Sequence, residues 1–278
     1  MIKINNLSFG YKKKTFLFSQ LALEMNNGQI VGLLGKNGAG KSTLLNLMSG
    51  LINLQQGTIL VNGNVPFKRT PSFLEDIYLV PEEFSFPGVS IDTYVKANSI
   101  FYPKFDHVKL DKILIEFELK HEYNLNKLSH GQRKKFLIAF ALSTNCATLL
   151  LDEPTNGLDI PSKSQFRKII VGSVTEEQLV VISTHQVKDI DSVIDTVIVL
   201  DNGNVVFNEN TYDVLQKFQF ETVPSLQNEK DVLYSEQCPS GYKTIAPAKK
   251  NDSSVIDLEL LFNAIISKQL TGQPAAGR

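Results

Sequence analysis

Long apolar runs are missing from this chain of 278 residues, and so is any strong charge bias. The most continuous hydrophobic stretches, such as Ala147 to Leu151 interrupted only by Thr148, fall far short of the roughly 20 residues that a membrane span requires. The formal charge of −1 offers no global basic field for nucleic acid or anionic lipid, so no nucleic-acid partner is expected. Cysteine is scarce: Cys146 and Cys238 stand far apart with no C-x-x-C spacing, which suits free thiols in a reducing compartment and argues against a disulfide framework. The opening Met1-Ile2-Lys3-Ile4-Asn5-Asn6 lacks the charged-then-apolar layout of a secretory leader, so a cytoplasmic location is expected. No internal repeat or low-complexity tract is evident. The hydrophobic content of 42% is that of an ordinary globular protein, enough for one substantial core and a smaller attached unit.

The most informative stretch that is present is Gly35-Lys36-Asn37-Gly38-Ala39-Gly40-Lys41-Ser42. Ile30, Val31, Leu33 and Leu34 precede it as a short apolar run, and Leu44, Leu45, Leu47 and Met48 follow at helical spacing, so the glycines lie where a buried strand hands over to a helix. The first amides of a helix lack intrahelical acceptors and carry partial positive charge, which makes that junction an anion site. Gly35, Gly38 and Gly40 let backbone approach phosphate oxygens, Lys41 reaches the β- and γ-phosphates, and the Ser42 hydroxyl can ligate Mg²⁺. The chain is therefore expected to bind a nucleoside triphosphate.

A second cluster lies in Leu149-Leu150-Leu151-Asp152-Glu153-Pro154, where two acids end an apolar run of the same compact kind. Open parallel sheets hold ligands at the carboxyl ends of their strands, so Asp152 is expected to hold Mg²⁺ and Glu153 to orient or deprotonate an attacking water. Leu179 to Ile182 forms a third such run and ends in Ser183-Thr184-His185, which puts an imidazole at the same edge, able to donate while Glu153 accepts. The runs before Gly35, Asp152 and Ser183 are expected to be central parallel strands.

Around these, Ile2 to Phe9 and Thr58 to Val61 have the pattern of antiparallel strands, the second entering a hairpin turn at Asn62-Gly63-Asn64. Val197 to Leu200, Asp201-Asn202-Gly203 and Val205 to Phe207 predict another hairpin. Between about Pro81 and Ala147 strand signals stop, and Lys109 to Lys120 and Gln132 to Ser143 show helical spacing. The expectation is an α/β nucleotide-binding core with a parallel sheet, an N-terminal antiparallel β subdomain and a helical insert at about 82–146, together spanning 1–210. A small extension, 211–278, carries a helix near 255–270, and its last residues look unstructured.

The order Tyr11, glycine loop, Leu128-Ser129-His130-Gly131-Gln132, Asp152-Glu153, Gly157-Leu158-Asp159 and His185 resembles the ATP-binding subunits of ABC transporters, over about residues 1 to 210. Leu128 to Gln132 is the most diagnostic element, being similar to the LSGGQ signature that other phosphate-loop proteins lack. The resemblance implies that Tyr11 stacks on adenine, and that Asn37, Ala39 and Thr43 belong to the phosphate site with Gly35, Gly38, Gly40, Lys41 and Ser42. It implies that Ser129, Gly131 and Gln132 face the γ-phosphate held by a second ATP-binding subunit, homologous or identical, with Asp159 linking the two sites. ATP and Mg²⁺ are the implied cofactors, Mg-dependent ATP hydrolysis the implied activity, and a separate transmembrane permease docking near Glu82 to Tyr94 the implied partner. The subunit would then sit peripherally on the inner face of the membrane. The compact cassette and the Phe101-Tyr102-Pro103-Lys104-Phe105-Asp106 segment look like small bacterial exporters; a soluble ATPase of the same superfamily acting in translation, repair or cofactor assembly is the alternative.

Two positions depart from the family pattern. No glutamine occurs between Gln56 and Gln132, and Glu82 in Val80-Pro81-Glu82-Glu83 stands where the family's metal-sensing glutamine is expected. A carboxylate can ligate metal, but it adds negative charge beside the triphosphate and cannot donate when ionised. His130 replaces the first glycine of the signature, which leaves the Gly131 amide in place and puts an imidazole beside phosphate, with a weakly pH-sensitive dimer as the expected consequence.

Overall fold

The computed structural model describes residues 1–12, 15–226, 231–249 and 255–270. Residues 250–254 of the polar stretch and the tail 271–278, the latter expected to be unstructured, lie outside the described residues.

The chain begins with strands β1 (Ile2–Phe9) and β2 (Phe18–Met25), continues through β3 (Gln29–Leu34) and helix α1 (Lys41–Met48), and reaches β4 (Gln56–Val61). β1, β2 and β4 make an antiparallel sheet in the order β2-β1-β4. The expected hairpin after β4 is not formed. Asn62 and Gly63 do turn the chain with positive φ, but β4 pairs only with β1 beyond a single bridge from Val61 to Asn64, and a 3₁₀ turn at Pro66–Lys68 follows. Pro66 lacks the N–H that a returning strand would have to donate.

Helix α2 (Pro71–Leu74) and strand β5 (Ile77–Val80) lead into the helical insert, formed by α3 (Ile91–Asn98), α4 (His107–Glu116) and α5 (His130–Ser143). The chain then returns through β6 (Thr148–Asp152), α6 (Ile160–Ser173), β7 (Leu179–Thr184), β8 (Thr196–Asp201) and β9 (Asn204–Asn210). The main sheet runs β5-β6-β7-β3-β8-β9, parallel throughout except for the β8-β9 hairpin. The three runs read as central strands are indeed its neighbouring β6, β7 and β3.

These strands read as unbroken apolar runs because both faces of the sheet are covered. On one face Val31, Leu33, Leu150, Leu179, Val181, Ile198 and Leu200 pack with α1 and the antiparallel sheet; on the other Ile30, Leu34, Leu149, Leu151, Val180, Ile182, Val197 and Val199 pack with α5 and α6. The alternation is the side-chain period of a strand, and each fully buried Leu or Val contributes about 1.5–3 kcal/mol.

The extension contains more order than its sequence announces. Helix α7 (Thr211–Lys217) and strands β10 (Phe218–Val223), β11 (Tyr234–Cys238) and β12 (Gly241–Pro247) are followed by α8 (Leu258–Ile266), and the strands form a separate antiparallel sheet β10-β12-β11. The helix expected over 255–270 is therefore shorter at both ends. Leu258, Leu261, Ala264 and Ile265 of α8 are buried in the same core cluster as Phe220, Ile245, Val197 and Val199. Outside the core, Lys188 pairs with Glu259 at 2.6 Å.

Asp257 caps α8 by accepting from the Leu260 amide at 3.0 Å and pairs with Lys243 of β12 at 2.5 Å. Burial pushes its carboxyl up, but Lys243 and the Leu260 amide outweigh that and leave it below its ordinary value. A lowered carboxylate pKa contributes stability above the unfolded-state value near 4 that is lost as pH falls through the folded one. Asp257→Ala is expected to cost about 1 kcal/mol and lower Tm by ~2–4 °C at neutral pH, with the difference from wild type shrinking on acidification below about pH 4, in thermal melts followed by circular dichroism.

Candidate functional site

The parallel register sets the site. Leu34 at the end of β3 lies opposite Thr184 at the end of β7, and Asp152 at the end of β6 lies opposite Ser183, so three strand ends meet on one edge. The chain leaving β3 there becomes the glycine loop. Gly38 and Gly40 have φ of 82° and 107°, and a Cβ on Gly40 would stand 2.8 Å from the buried Phe18 ring. Gly40 is the N-cap of α1, so the helix starts with its free amides facing the cleft.

Lys41 is 6% exposed. Its ammonium donates to the Gly35 carbonyl at 2.9 Å and to that of Lys36 at 3.4 Å, and lies 3.4 Å from Glu153 Oε1. Glu153, 4% exposed and at φ 44°, follows β6 directly. Its amide donates to the Ser183 carbonyl at 3.0 Å, which holds the residue in a conformation that costs on the order of 1–3 kcal/mol for a non-glycine. Both carboxylate oxygens are engaged. Oε1 takes the His185 amide at 3.1 Å and lies 2.8 Å from His185 Nδ1, and Oε2 accepts from the Thr184 hydroxyl at 3.0 Å. Glu153 is thus the meeting point of the glycine loop and the end of β7. Asp152 is buried behind it and accepts from the Ser183 hydroxyl through Oδ1.

A cleft of 890 Å³ opens over these groups, lined by Tyr11, Asn37, Gly38, Gly40, Lys41, Ser42, Thr43, Glu82, Glu153 and His185 of the residues singled out from sequence. Tyr11 donates to or accepts from Thr43 Oγ1 at 3.0 Å, and its ring, edge-on to Phe9 at 5.1 Å, remains 69% exposed at the cleft mouth. Gly35 and Ala39 lie behind the loop rather than on the wall; a Cβ on Gly35 would come within 2.6 Å of the Leu200 carbonyl. Ser42, Asp152 and Glu82 supply hard oxygen donors of the kind Mg²⁺ takes. Among the described residues no group of three or more His, Cys, Asp or Glu side chains could hold a metal.

The signature residues are not in this cleft. Ser129 is the N-cap of α5 and forms a reciprocal capping box with Gln132, Ser129 Oγ accepting from the Gln132 amide at 3.2 Å and Gln132 Oε1 from the Ser129 amide at 3.0 Å. A Cβ on Gly131 would approach the Gly157 carbonyl at 3.1 Å, and the His130 ring stacks on Phe84 at 5.4 Å. Asp159 caps α6 by accepting from the Ser162 amide at 2.9 Å, and these hydrogen bonds from Ser162 hold its carboxyl below the ordinary range.

Sequence reasoning missed several cleft groups. Lys12, Thr15, Phe16 and Leu17 complete the wall beside Tyr11, and Asn156 lies opposite. Asn156 Nδ2 donates to Glu82 Oε1 at 3.0 Å and its Oδ1 accepts from Gln186 Nε2 at 2.9 Å; the Gln186 oxygen in turn accepts from Lys163 at 3.0 Å. The turn signal of Asn156-Gly157 directly after the acids could have placed it at this edge. Lys134, one of three basic residues following the signature, is wholly buried. Its ammonium donates to the carbonyls of Glu82 at 3.0 Å, Pro81 at 3.4 Å and Glu153 at 3.5 Å and stands 5.1 Å over the Phe84 ring. Burial lowers its pKa, opposed by the charges of Glu82, Asp152 and Glu153. Nothing in helical periodicity distinguishes such a lysine from its exposed neighbours.

A strand-to-helix phosphate loop, an acid pair and a histidine on one sheet edge, with a capped signature helix beside them, is an arrangement with known counterparts. The family model described as "ABC transporter" matches residues 18–156. The molybdate import ATP-binding protein MolC of Haemophilus influenzae is 32% identical over 75% of this chain and 82% of its own length. The lantibiotic transport ATP-binding protein SrtF of Streptococcus pyogenes is 27% identical over 77% of this chain and 92% of its own. Among solved structures, a dimeric post-hydrolysis state of an ATP-binding cassette bound to ADP and Pi superposes with a TM-score of 0.66 at 22% identity, covering 76% of this chain and 98% of that one. The chain belongs to the ABC transporter family, as one of its ATP-binding subunits.

Proposed function

We propose that this subunit binds MgATP in the 890 Å³ cleft, closes as a dimer over two nucleotides, and hydrolyses them to drive a separate membrane permease. The observation that carries the proposal is Glu153: one carboxylate held between Lys41 and His185 at the floor of a cleft that the glycine loop lines. Lys41 and His185 both lie on Glu153 Oε1. A triphosphate in the loop competes for Lys41, which frees that oxygen to accept a proton from an attacking water, while His185 donates toward the γ-phosphate. Tyr11 offers its exposed ring to adenine, and stacking of this kind is tolerant of base identity. Thr43, already in contact with Tyr11, ties the base site to the phosphate loop. Ser42, Asp152 and Glu82 would hold Mg²⁺, which neutralises charge on the phosphate oxygens.

Ser129, Gly131 and Gln132 lie outside the cleft, as they would if they complete the site of a second subunit, and Asp159 is on the same exposed edge. The dimeric neighbour supports this arrangement. The division of the chain into an ATPase unit, 1–210, and an extension, 211–278, is supported by the separate sheet β10-β12-β11.

For the permease, the helical insert offers an 800 Å³ groove between the main sheet and α3, lined among others by Leu51, Arg69, Leu79, Tyr94, Ile100, Phe101 and Tyr102. Ile100 and Phe101 are 74% and 65% exposed there, a cost in water that a docked membrane subunit would remove. No helix among the described residues is long and apolar enough to cross a membrane. We take the direction to be export, on the outline shared with small bacterial exporters; the relatives above are named for import and for transport, and they give the non-transport alternative no support.

Glu153→Gln is expected to bind ATP and dimerise but to hydrolyse it at least ~100-fold more slowly, since Lys41 keeps its carbonyl acceptors while the base is lost. Phosphate release and size-exclusion with MgATP check this, and normal turnover would assign the water to another group. Glu82→Gln is expected to retain Mg²⁺-dependent turnover within about tenfold of wild type, because an amide oxygen can still ligate metal. Complete loss of phosphate release in that variant would count against this assignment.

A further inference from the structure

Glu82 is held at the cleft by a chain of side-chain hydrogen bonds that passes through the loops leaving β6 and β7 and ends on α6. Lys163 of α6, paired with Asp189 at 2.7 Å, donates to Gln186 Oε1 at 3.0 Å; Gln186 Nε2 donates to Asn156 Oδ1 at 2.9 Å; and Asn156 Nδ2 donates to Glu82 Oε1 at 3.0 Å. An ammonium has donors and no acceptor, so Lys163 fixes which end of the Gln186 amide faces it, and that choice fixes the Asn156 amide in turn. Backbone bonds hold both residues in place: the Asn156 N–H donates to the Glu153 carbonyl at 3.2 Å, and the Gln186 N–H to Thr184 Oγ1 at 2.9 Å. The chain therefore presents a donor to position 82. A glutamine there would commit its one oxygen to Asn156 and put an NH₂, which cannot ligate a cation, where Glu82 has its second oxygen. Glu82 meets Asn156 with Oε1 and keeps Oε2, which has no hydrogen bond among the described residues.

We propose that Lys163, Gln186 and Asn156 set the direction of hydrogen bonding at position 82 and so select a carboxylate there, Asn156 being the positioning residue that takes one oxygen of Glu82 and leaves the other for Mg²⁺. The proposal rests on the reading of the cleft as the MgATP site with Glu82 on the metal. Reversing the chain reverses the preference. In Gln186→Glu the new carboxylate only accepts, so Lys163 keeps its partner while the Asn156 amide has to turn and donate to position 186, which sets Asn156 Oδ1 against Glu82. Adding Glu82→Gln then supplies an NH₂ for that oxygen and frees a carbonyl for the metal. The two substitutions together conserve net charge, so their combined effect reads the direction of the chain and not the charge of the cleft.

The test is a double-mutant cycle read by the affinity of Mn²⁺, a paramagnetic stand-in for Mg²⁺, for protein loaded with a non-hydrolysable ATP analogue, followed by electron paramagnetic resonance. Binding of the analogue in EDTA scores the cleft separately from the metal. Glu82→Gln and Gln186→Glu are each expected to weaken Mn²⁺ binding about tenfold, the scale on which partners of a metal ligand act, and the pair to return it to within about threefold of wild type. Added negative charge alone would tighten Mn²⁺ binding in Gln186→Glu, so unaltered or tighter binding there overturns the proposal, as do losses that add in the pair. If Gln186→Glu does not fold, Lys163→Met removes the group that fixes the direction, and Glu82→Gln in that background is expected to cost no more than about threefold. An undiminished tenfold loss there overturns the proposal. Mn²⁺ affinity indifferent to Glu82→Ala would instead take Glu82 off the metal, and no analogue binding by the wild-type protein would remove the cleft as the ATP site; either result takes the proposal with it.

Discussion

The parallel pairing of β3, β6 and β7 is the constraint on which the rest of this molecule depends. Because neighbouring parallel strands run the same way, their carboxyl ends share an edge, and the residues that leave those ends are brought together without any loop having to reach. The glycine loop, Asp152 and Glu153, and Thr184 and His185 are three such exits. Their convergence on one carboxylate follows from register: with Asp152 opposite Ser183, the next residue along, Glu153, meets Thr184 and His185.

That convergence has an electrostatic price. Three acids lie around the cleft floor, and the protein answers with two buried lysines of different kind. Lys41 is held by two carbonyls and one carboxylate, a set of acceptors that a phosphate can replace. Lys134 is held by carbonyls from fixed loops and has no route to the ligand. One cation is placed to exchange partners and the other to stay.

The packing carries the same division. The sheet is covered on one face by α1 and the antiparallel sheet and on the other by the helical insert, α6 and α8, so the cleft floor is buried while the exposed features lie at its borders. Tyr11 at the mouth, Ile100 and Phe101 on the groove, and the capped start of α5 are the exposed features proposed above to meet nucleotide, permease and second subunit.

Much of this was legible in the residues themselves. The glycine loop between an apolar run and a helical period, the acids ending a second run and the histidine ending a third determined the core, its parallel strands and most of the cleft, because strand burial and phosphate binding are both local demands on residue type. The hairpin predicted after Asn62-Gly63-Asn64 failed because Pro66 and the pairing of β4 with β1 leave nothing for a returning strand to bond. The strands β10, β11 and β12 escaped notice because they lie on a partly exposed sheet whose alternation is diluted by Gln219, Glu221, Lys243 and Thr244. The partners of Asn156 and Lys134 were decided by tertiary structure alone, although the Asn156-Gly157 turn signal could have put Asn156 at the right edge. Their partners are brought to them from strands and turns far away in the chain, and no local period records that a lysine will be covered by three carbonyls or that an amide will face a carboxylate from 74 residues upstream.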